Sequence, residues 1–134
     1  FTSSGGSMSF TGVDQATPLR NVDGATGNGA SATNAVTGGS TNEMVFSFEG
    51  GGSALTTHNQ TTRFVKNQSS ASQCGNFGGA TAAGSASTVT MTRTLGSDSW
   101  ACIAGALQAA GAAGAGPVAR QLILSSAVRR AAGW

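Results

Sequence analysis

The reactive inventory of this chain is small: five carboxylates, one histidine and two cysteines among 134 residues. General acid–base catalysis needs two carboxylates held close together. Here the acids are scattered. Asp14 and Asp23 flank a loop, Glu43 and Glu49 bracket a strand-like run, and Asp98 sits in a turn-like "GSD". Asp14 and Asp98 read as turn residues whose carboxylates accept from nearby backbone amides. His58 lies in "LTTHNQTT" among polar neighbours, with no cysteine or aspartate at the spacing of a nucleophilic triad. The pattern predicts no enzyme and no catalytic residue.

Metal and phosphate chemistry are equally thin. Cys74 and Cys102 lack the CxxC spacing and the histidine pair of a zinc site. They read either as a disulfide or as two small buried thiols. "NVDGATGNG" offers Asp23 and Asn28 as oxygen ligands for calcium, but Asx-Gly turns give the same letters without a metal. The expectation is therefore no cofactor, with Asp23 and Asn28 as weak calcium candidates. "GNGASATNAVTGG" has neither the lysine nor the strand-then-helix setting of a phosphate loop. The "NQT" and "NQS" sites at Asn59 and Asn67 accept a glycan only in a eukaryotic secretory host.

What must position these residues is a chain with little to bury. Only 9% of it is charged, against about a quarter in ordinary soluble domains. Val, Ile, Leu and Phe together number 22 of 134, under the rough 20% floor for comfortable globular folding. The net charge is only +2, so charge-driven disorder is not indicated. This is the composition of a turn-rich β protein with a thin core that depends on partner chains for burial. No window reaches the roughly 18 apolar residues of a membrane span. No signal segment opens the chain, and Phe1 reads as a start within a longer protein.

Charge divides the chain. Residues 1–116 carry Arg20, Arg63, Lys66 and Arg93 against Asp14, Asp23, Glu43, Glu49 and Asp98, a net of −1. Residues 117–134 carry Arg120, Arg129 and Arg130 with no acid. The body lacks the basic stripe of a nucleic-acid binder, and three arginines in a tail do not supply one.

Strand signals come as short alternating runs. "SMSFTGV" (7–13) sets Met8 and Phe10 on one face, and 23–42 is a long Gly/Asn/Ser/Thr loop with a short strand near 30–37. "EMVFSFEG" (43–50) aligns Met44, Phe46 and Phe48 as a buried side, and "QTTRFVKN" (60–67) contributes Phe64. "CGNFGGATAAG" (74–84) makes a strand only where backbones pack closely. In "STVTMTRTL" (87–95), Val89, Met91 and Arg93 oppose a row of threonines, which suits a pleated sheet. "GSD" then turns the chain into 99–107, where Trp100, Cys102, Ala104 and Ala106 oppose Ile103 and Leu107. That strand reads as hairpin-paired to the threonine strand, central, and covered on both faces. The expected core is Phe10, Met44, Phe46, Phe48, Phe64, Val89, Met91, Trp100 and Ile103.

The body thus runs over 1–107, followed by an Ala/Gly linker at 108–116 and a basic, apolar tail at 117–134. Pro117 and Gly133 fit the first position and the C-terminal cap of a helix, while "QLILSS" also fits an extended arm. Arg120, Leu122, Ile123, Leu124, Arg129 and Arg130 are the residues expected to dock on a partner.

Taken together, "SFTGVDQATPL", "NEMVFSF", "TTRFV" and "STVTMTRTLGSDSWACIAGALQ" resemble a concanavalin-like domain of bacterial secreted or surface proteins and phage virion proteins. Gly12, Val13, Asp14, Gln15, Pro18, Trp100, Ala101, Ile103 and Leu107 carry the resemblance, which covers residues 6–108. It implies an all-β fold: an antiparallel, jelly-roll-like β-sandwich. In such domains the GVDQ strand falls near the middle, whereas here it stands within the first dozen or so residues. The sandwich is therefore expected to be incomplete and completed by another chain or segment. The function expected is that of a non-catalytic structural module, a capsid-decoration or tail-fibre piece, in a virion or an extracellular or cell-surface assembly. Its partners would be other protein subunits, with a homo-oligomer favoured. The alternative is a glycan-binding, lectin-like adhesion module.

Overall fold

The computed structural model describes residues 5–37, 39–68 and 75–111. Six strands form one antiparallel sheet, and no helix occurs among the described residues: β1 Leu19–Val36, β2 Met44–Gly51, β3 Leu55–His58, β4 Thr61–Lys66, β5 Asn76–Ala83 and β6 Val89–Leu107. The strand order is β1-β6-β2-β5-β4, with β3 also paired to β6. The all-β antiparallel expectation is met.

β1 and β6, at 18 and 19 residues, form a long ribbon that doubles back. Asn34 Nδ2 donates to the Asp23 carbonyl at 2.9 Å. Eleven residues of straight strand would hold those groups about 37 Å apart. Asn21 Nδ2 likewise reaches the Thr37 carbonyl at 2.6 Å. The bend falls where the β1–β6 register shifts between Gly29 and Ser31, opposite Leu95–Ser97. Gly29 takes φ +141° there, a conformation that favours a residue without a Cβ. The ribbon halves now face each other. One half joins β2, β5 and β4 in a larger layer, and the other joins β3 in a smaller one.

Between the layers lies the core of Val36, Val45, Ala80, Val89, Met91, Ala104 and Ala106, continued by Ala32, Leu55, Leu95 and Cys102. The outward side of the smaller layer is threonine, with Thr33 bonded to Thr92 at 3.2 Å and Thr37 to Thr88 at 3.1 Å. Such cross-strand hydroxyl pairs contribute roughly 0.2–1 kcal/mol each.

Several expectations are corrected here. Residues 7–13 form no strand, because Met8 and Phe10 find no ladder partner; only Val13 makes a bridge, to Ala109. The supposed 23–42 loop is mostly β1, whose polar, glycine-rich residues are drawn into strand by pairing with β6 along its length. "GSD" is no hairpin turn: it lies inside β6 at the ribbon's bend. The expected core is met in part. Val89, Met91 and Phe46 are buried, and Phe10, Phe48, Phe64 and Trp100 are half-buried. Met44 and Ile103 are exposed, at 37% and 44%. β2 turns Val45, Ser47 and Glu49 inward instead of its aromatics. The second face of 99–107 is accordingly uncovered at Ile103. Residues 108–110 are tied to the body by Gln108 N–H to the Pro18 carbonyl and Ala110 N–H to the Gly12 carbonyl. The tail and its expected docking residues lie outside the described residues, as does Cys74.

β5 shows why its glycines are needed. A Cβ on Gly79 would lie 2.6 Å from the Phe64 ring, and one on Gly78 would lie 3.3 Å from Arg93 Nη2. Adjacent glycines thus let an aromatic ring lie on one face of the strand and a guanidinium on the other, the close packing expected of this segment.

Candidate functional site

Two constellations stand out, one closed and one open. The closed one is the polar heart of the interior. β2 points Ser47 and Glu49 inward, β6 sends in Arg93 and β3 ends on His58, and all four side chains are buried. Glu49 Oε1 accepts from Ser47 Oγ and from His58 Nε2, the latter at 3.2 Å, while its Oε2 accepts from Arg93 Nε at 3.3 Å. Arg93 Nη1 also donates to the Thr56 carbonyl at 3.3 Å and to Thr62 Oγ1 at 3.2 Å. Four strands are thereby tied to one carboxylate and one guanidinium.

Serine, histidine and glutamate in contact suggest a nucleophile relay, but the wiring differs. A relay uses both ring nitrogens, one for the nucleophile and one for the acid. Here Ser47 and Glu49 both approach Nε2, at 3.5 and 3.2 Å, and Nδ1 accepts the Gln60 backbone N–H at 2.9 Å. That backbone donor makes Nε2 the ring nitrogen that donates to Glu49. The arrangement holds strands together; it does not prepare Ser47 for attack.

Glu49 makes folding sensitive to acid. Burial alone pushes its carboxyl up, but the hydrogen bonds from His58 and Ser47 and the charge of Arg93 outweigh burial, and the carboxyl is held below its ordinary value of 4.5. The folded state therefore binds this proton less readily than the unfolded state. The stabilisation is complete above about pH 4.5 and is lost as pH falls through the lower, folded-state value. Thermal melts from pH 7 to 3 should show wild type losing stability below that point. Glu49→Gln, less stable at neutral pH, should have a flatter profile there; equal slopes would show that Glu49 is not the titrating group.

The remaining expected site residues are dispersed. Asp14 Oδ1 accepts from the Ala16 and Thr17 amides at 2.8 Å each, the loop brace expected of it, and those bonds lower its pKa. Asp98 accepts from the Ser99 amide at 2.7 Å and from Ser53 Oγ at 3.0 Å, within a strand and not a turn. Asp23 and Asn28 stand five residues apart along β1 instead of sharing a loop; Asp23 accepts from the Gly24 amide and Asn28 donates to Ser99 Oγ. No group of three or more His, Cys, Asp or Glu side chains able to hold a metal occurs among the described residues. Cys102 is a buried free thiol whose pKa burial pushes up. Sequence reasoning missed Ser47, Glu49 and Arg93 as a unit. The usable signal was the charge on each of two strands at positions in register with apolar neighbours.

The open constellation is the outward side of the larger layer. Phe48 stacks on Phe77 with centroids 5.9 Å apart and planes 7° from parallel, and Phe46 and Phe64 join at 5.9 and 6.2 Å from Phe48. Met8 and Gly6, from the extended segment before β1, lie against Phe64 and cover one end of this face. The other end is open. There Phe48, Gly50, Phe77, Ala101 and Ile103 line a shallow groove of about 330 Å³ with no charged residue.

Fold and surfaces together define an all-β antiparallel module with a closed polar interior and an open aromatic face. No protein-family model, curated protein or solved structure matches the chain.

Proposed function

We propose that this chain is a non-catalytic structural module of a virion or of an extracellular or cell-surface assembly, held there by protein–protein contact through its aromatic face. One observation carries the reading: an uncharged, apolar sheet face around Phe48, Phe77 and Ile103 lies open at one end. Contiguous apolar surface of this kind marks an interaction site. The residue types best suited to catalysis, His58 and Glu49, are engaged in holding strands together, which supports the same reading. The reading keeps the concanavalin-like resemblance as part of the proposal, and no cofactor is proposed. Expressed with a tag in its own host, wild type should sediment with large particles. Phe48→Asp should shift most of it to the slow fraction. If wild type itself sediments as a small free species, the assembly reading fails.

The glycan-binding reading has one observation of its own. Trp100 is half-exposed and, with Phe77, flanks a shallow groove along Gly50–Gly52, with Asn76 and Ser99 on its wall. Binding on a glycan array that Trp100→Ala abolishes would favour that reading; Phe48→Asp would then leave binding intact.

A further inference from the structure

We infer that the occupant of the open aromatic face is a second copy of this chain, packed sheet to sheet about a two-fold axis. The inference rests on the assembly reading above and names the partner. The relief of the face carries it. Outward positions alternate large and small: Phe48 faces Ile103 across β2 and β6, and Gly50 faces Ala101 beside them. Two other hollows are already filled. The one over Gly79 holds the Phe64 ring, and the one over Gly105 holds Val22 and Phe46. The hollow at Gly50 and Ala101 stays open, and next to it stands Ile103, 44% exposed.

A knob and a hollow thus sit two residues apart on one strand, about 7 Å. A two-fold axis lying in the interface, crossing β6 between residues 101 and 103, sets each Ile103 into the other copy's hollow. That is the self-complementarity an isologous contact requires. No charge lines the groove, so two copies meet there without repulsion. Leaving out β4, whose end of the face Met8 and Gly6 cover, four strands by about eight residues offer roughly 500 Å² per copy, and a total of about 1,000 Å² is the size of a weak, concentration-dependent contact. Two such faces pack about 10 Å apart with strands roughly aligned.

Sedimentation velocity of the full chain over a range of concentrations tests this. Wild type should pass from monomer to dimer. Ile103→Asp removes the knob and Ala101→Phe fills the hollow; both sites are exposed, so circular dichroism should show the fold unchanged. Each should weaken dimerisation at least tenfold. Ala101→Phe is the sharper arm, since indiscriminate stickiness would rise with the added ring. A wild type monomeric at every concentration, or an Ala101→Phe chain that dimerises as well as wild type, overturns the inference. A photo-crosslinker at position 103, in assemblies from the host, should join two copies. Capture of a different protein overturns the second copy while sparing the assembly reading, and capture of nothing sinks both.

Discussion

Arg93→Ala should lower the unfolding free energy by about 3–5 kcal/mol, the cost of stranding one member of a buried ion pair. Arg93 is wholly buried, and its loss leaves the Glu49 carboxylate without its cation. It also removes donors to Thr56 and Thr62, and with them this side chain's ties from β6 to β3 and β4. With total stabilities of about 5–15 kcal/mol, this single change consumes a large share of the whole. Chemical denaturation gives the magnitude, and a double-mutant cycle gives the cause. Arg93→Met combined with Glu49→Gln should be less destabilised than the two single changes added, by roughly 0.5–3 kcal/mol. Strict additivity would mean that Arg93 acts through packing alone.

A comparable loss, about 2–5 kcal/mol, should follow Met91→Ala. Met91 is 1% exposed and sits in the main core cluster with Val45, Val89 and Ala104. Twelve residues along the same strand, Ile103→Ala should cost no more than about 0.5 kcal/mol in the monomer, because that side chain is open to solvent. Melting both variants under conditions that keep the chain monomeric separates the two faces of β6. Equal losses would mean that both faces of the strand are covered.

Those two residues mark where sequence reading succeeded and where it stopped. The alternation in 87–95 placed Val89, Met91 and Arg93 together because one row was β-branched threonine, which left a single choice of inner face. β2 offered a choice. Period two shows that a strand has two faces but not which of them turns inward, and apolarity favoured Met44, Phe46 and Phe48. The inner side instead carries Ser47 and Glu49, because Arg93, 44 residues further on, neutralises the carboxylate. That compensation spans strands and has no local signature. β1 was illegible for a related reason: Gly, Asn, Ser and Thr in 23–42 spell turns, and only pairing with β6 makes them a strand. "GSD" signalled a reversal, and the ribbon does reverse there, but by bending as one piece. For the candidate sites, His58 was visible as a letter, whereas its neighbours Ser47 and Glu49 were set by register.

The β1–β6 ribbon also governs the order in which the protein can be made. Its ladder runs from Leu19 opposite Leu107 to Val36 opposite Val89, so the first strand synthesised waits for the last. Closing the outermost of those pairs costs about 4 kcal/mol of chain entropy before any packing returns it. Topologies dominated by such distant pairings fold in milliseconds to seconds, not microseconds. On the ribosome, β2, β4 and β5 emerge early, with an aromatic face and two unclaimed edges. β6 is the strand both β1 and β2 need, and until residue 107 clears the exit tunnel the nascent chain has no means of closing its own interior.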